Sequence, residues 1–269
     1  MKKKILAILL FAMMILTLTG CKDNKKENTT LTENVKKLYD MIETYYIPDV
    51  YPDFDSYKDS NFYMDKVVKY EDLSDESRLY YAYKTIENIE RRWFTSCDEL
   101  KGYSYENEDI ATICQKGAGE IIAKDQSSEE WFFNNVNKET LENAYNSMYG
   151  EDKDLPLKSF TMSVTGICVY SKTKDDFLCF TQTGGDTYPE HGESKFEYFE
   201  EKDDSIEIYD RYLWVEYEVN QSVYYKSRFD KNEKIDSTTK DFTKGALYKH
   251  TFKKDSKGNY YWYSSERVE

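Results

Sequence analysis

Ile206-Glu207-Ile208-Tyr209-Asp210-Arg211-Tyr212-Leu213-Trp214-Val215-Glu216-Tyr217-Glu218-Val219 decides the reading of the fold. It is rich in β-branched and aromatic residues and holds neither glycine nor proline, so it predicts a strand. The same aromatic, alternating character marks Phe160 to Tyr170, Phe177 to Thr183, Lys195 to Glu200, Val223 to Phe229, Ala246 to Lys253 and Tyr260 to Ser264. Asn220-Gln221-Ser222 and Asp230-Lys231-Asn232 are polar breaks between these runs, and Asp255-Ser256-Lys257-Gly258 reads as a hairpin turn. Tyrosine, at 26 residues against 14 phenylalanines and 4 tryptophans, suits such strands: the ring packs while the hydroxyl stays wet.

Ahead of Leu155 the apolar spacing is helical. Thr30 and Glu33 have capping-box spacing, and Val35, Leu38, Tyr39, Ile42, Tyr45 and Tyr46 follow on one face. Pro48 and Pro52 end that pattern, and a short helix is predicted through Met64 to Tyr70. The strongest helix should start at Ser74, with a stripe of Leu79, Ala82, Tyr83, Ile86, Ile89 and Trp93. Ile110 to Ile121 suggests another helix. Ser127 and Glu130 offer a capping box before Trp131-Phe132-Phe133, and Asn137 can cap a helix carrying Leu141, Ala144, Tyr145 and Met148 that Gly150 stops. Helices followed by strands predict an α+β fold: a mainly helical region over 35–150 packed with a curved antiparallel β domain over 151–269. A cystatin-like or NTF2-like cone, or a barrel-like closure, is the matching architecture by fold analogy alone.

The chain opens differently. Lys2, Lys3 and Lys4 precede an apolar run from Ile5 to Leu16. That length suits an export signal and falls short of the roughly 20 residues needed to span a bilayer. Leu18-Thr19-Gly20-Cys21 resembles the lipobox of bacterial lipoprotein signal peptides, which the type II signal peptidase reads. The resemblance implies cleavage between Gly20 and Cys21, a diacylglyceryl group on the Cys21 sulfur, and residence on the extracytoplasmic face of the cell membrane. Residues 1–20 are then the signal peptide, and the polar stretch 21–34 a flexible tether.

Composition narrows the partners. The net charge is −14, and removal of three lysines with the signal would make the mature chain more acidic still. Such a body is repelled by nucleic acid and by anionic headgroups, so no nucleic-acid partner is expected and lipid must hold it down. Four cysteines remain beyond Cys21, an even number that suits disulfides in an exported chain. Sequence order favours Cys97–Cys114 and Cys168–Cys179 among three connectivities; four free, buried thiols are the alternative. If Lys172 to Asp175 form a four-residue hairpin loop, Tyr170 faces Phe177 and Cys168 faces Cys179.

Signatures of chemistry are sparse. The only histidines are His191 and His250. His191 lies in an acidic stretch after Gly184-Gly185 and reads as part of a connection between strands, so no metal is expected. His250, between Lys249 and Thr251, should face solvent. Neither a Gly-x-Ser-x-Gly elbow nor a His-Glu-x-x-His pair occurs, although a triad can assemble from distant positions. The glycine pairs lack the setting of a phosphate loop, so no cofactor is expected. Tyr80-Tyr81, Tyr224-Tyr225 and Tyr260-Tyr261-Trp262-Tyr263 are candidates for stacking on sugar rings, with alternate members pointing inward.

Tyr149-Gly150 closing a helix, followed by aromatic-rich strands that end at Tyr260-Tyr261-Trp262, is similar to a pattern in uncharacterised lipoproteins of low-GC Gram-positive bacteria. It implies a source and no activity. The expectation is a lipid-anchored envelope protein that binds an envelope protein or glycan rather than an enzyme. A carboxylate-dependent cell-wall or polysaccharide hydrolase is the alternative.

Overall fold

The computed structural model describes residues 28–42, 61–87, 89, 91–92, 96–105, 108–112, 131–163, 166–182, 190–218, 221–229, 231–235 and 239–269. The stretch expected to be a signal, with Leu18, Thr19, Gly20 and Cys21, lies outside these residues, as do Cys114 and residues 183–189.

The fold is α+β, and its strand pairings are antiparallel. Among the described residues three α-helices stand out: α1 (Glu33–Ile42), α2 (Asp75–Lys84) and α3 (Lys138–Tyr149). Interleaved with them are short strands β1 (Val68–Lys69), β2 (Arg91–Arg92), β3 (Ser104–Tyr105) and β4 (Glu108–Asp109), then β5 (Trp131–Asn137). The remaining strands are β6 (Phe160–Ser163), β7 (Gly166–Ser171), β8 (Asp176–Gln182), β9 (Glu190–Glu201), β10 (Ser205–Glu218), β11 (Gln221–Tyr225), β12 (Lys234–Ile235), β13 (Ala246–Lys254) and β14 (Tyr260–Arg267). One sheet runs β1-β14-β13-β10-β11-β12, with β9 on the other edge of β10. A second runs β2-β5-β8-β7-β6, and β3 pairs, among the described residues, with β4. Both large sheets are open, so barrel closure is ruled out.

Strand β10 organises the larger sheet. β9 occupies one edge along Ile206 to Glu216, while the other edge pairs first with β13 and then, from Trp214, with β11. Both faces of β10 are covered. Ile206, Ile208, Tyr212 and Trp214 point into the main core with Val35, Leu38, Leu79, Leu141, Tyr145 and Trp262. Leu213 and Val215 point the other way, into a small cluster with Tyr224 and Ile235. A register shift between β9 and β10 at Tyr209/Asp210, and another between β13 and β14 at Thr251/Phe252, bend these strands.

Local signals place two helices well. The Ser74 side chain accepts from the Ser77 amide at 3.1 Å, and Asn137 from Thr140 at 2.7 Å. Gly150 ends α3 with φ of 96°, and a side chain there would be strained and would crowd Asp152 and Tyr261.

Several expectations change. The cap of α1 is Thr32, whose hydroxyl accepts from Val35, rather than Thr30. Met64 to Tyr70 is not helical; it carries β1 and runs into a 3₁₀ turn at Tyr70–Asp72. α2 stops at Lys84, and Arg91–Arg92 is already strand, so the stripe drawn to Trp93 overran the helix. The Ser127/Glu130 box does not begin a helix at Trp131: Trp131 to Asn137 pairs along its length with β8. An aromatic run favours a strand when a neighbour is there to pair, and no local code reports that neighbour. This pairing also crosses the boundary expected at residue 150, as β1 does by pairing with β14. Asn28, within the stretch assigned to the tether, bridges to Phe199.

Candidate functional site

The hairpin of β7 and β8 has the predicted register. Ser171 pairs with Asp176 across Lys172 to Asp175, Tyr170 faces Phe177, and Cys168 faces Cys179, to which it is disulfide-bonded. Cys97 opens a 3₁₀ helix; with Cys114 outside the described residues, the proposed Cys97–Cys114 pairing lies outside them too. The turn also holds Ser171-x-x-Lys174, a spacing used by some acyl-enzyme serines, which corrects the expectation that no Ser-x-x-Lys motif occurs in this chain. Here it is structural. The Ser171 hydroxyl donates to the Gly102 carbonyl at 2.7 Å, and the Lys174 ammonium donates to the Glu99 carbonyl at 3.1 Å while lying over the Tyr103 ring.

A serine, a histidine and an aspartate do assemble from distant positions. His250 Nδ1 lies 2.6 Å from Ser265 Oγ, and its Nε2 lies 3.1 Å from Asp210 Oδ1. The Tyr63 hydroxyl donates to Asp210 Oδ2 at 2.6 Å, and the Trp262 indole donates to Ser265 at 2.9 Å. All three members are 0% exposed. Burial, followed by the charge of Asp210, pushes the Tyr63 phenol well above its ordinary pKa. A hydrolytic serine needs access for its substrate and a mobile proton, whereas this one is sealed beneath Trp262. The network is therefore a polar seam of the core. His250 does not face solvent as expected: on β13, Ala246, Tyr248, His250 and Phe252 point inward. Lys249 and Thr251 belong to the opposite face, so their polarity says nothing about His250.

The tyrosine runs divide only in part: Tyr80-Tyr81 lie on α2 rather than on a strand, and Tyr224 and Tyr225 on β11 point to opposite faces yet both are buried, because the sheet is covered on each side there. Tyr81, Tyr224, Tyr225 and Trp262 are buried, and Tyr263 is exposed, with the Lys253 ammonium 3.5 Å from its ring centroid. Tyr260 and Tyr261 are half-buried, and they line a groove of about 330 Å³. Its other wall is the end of α3 with Asn143, Asn146, Ser147 and Glu151, and its floor includes Asp255 and Asn259 from the β13–β14 turn. The Asn146 side-chain oxygen is buried and accepts no hydrogen bond among the described residues. Gly150 brings α3 close to Tyr261.

No family model, no curated protein and no solved structure matches this chain.

The groove's carboxylates are already occupied. Glu151 is paired with Lys257 at 2.6 Å. Asp255 accepts from the amides of Lys257 and Asn259, each at 2.8 Å. Burial would raise its pKa, but those donors outweigh it and hold the carboxyl below the ordinary range. A glycosidase pair needs one carboxyl kept protonated beside one kept ionised; Asp255 cannot supply the first. His191 bonds Glu193 at 2.9 Å. Among the described residues no group of three histidine, cysteine, aspartate or glutamate side chains could hold a metal ion.

Proposed function

We propose that this is a lipoprotein fixed to the extracytoplasmic face of the cell membrane through Cys21, and that it binds a neutral glycan of the envelope in the groove between α3 and the β13–β14 hairpin. The bends at the two register shifts support a cone of the cystatin or NTF2 type beneath that groove. The observation that carries the binding reading is the buried, unpartnered Asn146 oxygen in a groove flanked by Tyr260, Tyr261, Asn143 and Asn259. Amides that give and accept hydrogen bonds beside aromatic faces suit sugar hydroxyls and their apolar ring faces, and a buried acceptor left unpaired favours a donor that can fill it.

The test is co-sedimentation of the full chain, in non-ionic detergent, with peptidoglycan sacculi and a panel of neutral polysaccharides. Asn146→Ala should weaken retention roughly 2- to 12-fold, the worth of one neutral hydrogen bond. Tyr261→Ala should weaken it as well. Equal retention of both variants and the parent would refute the groove. Clearing of a peptidoglycan zymogram would refute the non-enzymatic reading. Mass spectrometry of the mature N-terminus tests the anchor separately: an unmodified Cys21, or cleavage elsewhere than Gly20–Cys21, would overturn it.

A further inference from the structure

Arg228 follows β11, and all three of its guanidinium nitrogens are buried without a hydrogen-bond partner. No other described side chain has as many buried polar atoms without a partner. Arginine stays charged at any accessible pH, so it cannot relieve burial by losing its proton. Two acids among the described residues near this segment, Asp65 and Glu233, are already engaged. Asp65 takes the Ser227 hydroxyl at 2.8 Å and Arg267 at 3.0 Å. Glu233 takes Arg267 through both of its oxygens, at 2.9 and 2.7 Å. Arg228 instead meets aromatic faces: its guanidinium carbon lies 4.7 Å from the Phe229 ring centroid and 5.9 Å from that of Trp214. It is also close enough to the buried Tyr81 phenol to act on it electrostatically.

Ring contacts of this kind take up the flat face of a guanidinium and leave the in-plane N–H donors of its edge unspent. We propose that Arg228 is the anchor of an oxyanion site, which takes a group with two acceptor oxygens, a carboxylate or a phosphate, bound in bidentate fashion. The site does not depend on the glycan reading, since it uses a different part of the sheet and takes an anionic ligand rather than a neutral one. Buried charges are kept where they are paired, and a guanidinium edge with no acceptor among the described residues is the observation a ligand would explain.

The test is thermal unfolding of the full chain in non-ionic detergent, titrated with inorganic phosphate and with acetate against sodium chloride at matched ionic strength. The parent should show a saturable rise in melting temperature with at least one of the two oxyanions beyond the chloride control. Arg228→Lys keeps the charge and loses the planar fork, so it should need roughly tenfold more oxyanion, or more, for the same rise. Arg228→Met should abolish the rise; if it does not fold, the lysine variant decides. A response to acetate points to a carboxylate, and a response to phosphate alone points to a phosphate group. No rise beyond chloride in the parent, or an unchanged response in Arg228→Lys, would overturn the site.

Discussion

Replacing Tyr63 by phenylalanine removes one oxygen and little else. The ring still stacks on Tyr212 at 4.6 Å and still meets Tyr248 and His250 edge-on at 5.1 and 5.2 Å. What is lost is chiefly the 2.6 Å hydrogen bond to Asp210, with a longer 3.4 Å contact to the Ile42 carbonyl, in a place where neither Tyr63 nor Asp210 is reached by water. A hydrogen bond to a charged group contributes about 1.5–3 kcal/mol, and the carboxylate left behind has no solvent to replace it. For a chain of this length that corresponds to a fall in melting temperature of roughly 3–12 °C. Urea unfolding should show a lower midpoint with an unchanged slope, because the surface exposed on unfolding is the same. Asp210→Asn and the double variant complete a cycle, and the two sites should couple by more than about 0.5 kcal/mol. If Tyr63→Phe left the midpoint in place, or if the two changes were additive, the seam through Asp210 and His250 would not hold the sheet as argued.

Three further outcomes follow from the same physics. Replacing Cys168 and Cys179 together by alanine opens a loop with a sequence separation of 11, and by loop-closure entropy should cost about 3 kcal/mol, read as a lower urea midpoint; an unchanged midpoint would count against the bond. Glu207 and Glu193 titrate below their ordinary values: burial would raise both, but hydrogen bonds from Lys202 to Glu207, and from Lys240 and His191 to Glu193, outweigh it. Their folded values are lowered, so their stabilisation is full above the unfolded value of 4.5 and is lost as pH falls through the folded ones. Glu207→Gln should therefore be less stable than the parent at about pH 7, and the gap should shrink as pH falls below 4.5 and through the folded value; a gap that does not narrow on acidification would refute this. Gly150→Ala should destabilise by about 1 kcal/mol or more because φ is 96° and the added carbon meets Asp152 at 3.1 Å; a neutral change in the urea midpoint would show that α3 can shift.

What could be read from the chain was local. The caps at Ser74 and Asn137, the stop at Gly150, the turn at Asp255 to Gly258 and the facing of Cys168 and Cys179 each depend on residues a few positions apart. Loop length fixes the register of a hairpin, so the last of these needed no knowledge of the rest of the molecule. The readings that changed were those in which a distant partner decides. Trp131-Phe132-Phe133 became strand because β8 lies beside it, and His250 went inward because Asp210, 40 positions away, receives it. Neither partner leaves a mark in the neighbouring sequence.

The amino-acid sequence by itself determined the α+β class, the capped starts of α2 and α3, the turns, and the Leu18 to Cys21 reading on which the anchoring proposal rests, because each is written in contiguous side chains. Only the tertiary structure decided which polar groups are buried with partners, as at His250 and Ser265, and which are buried without them, as at Asn146 and Arg228. Burial and pairing are properties of surfaces brought together from separate strands and helices, and whether a donor finds an acceptor is settled only when those surfaces meet.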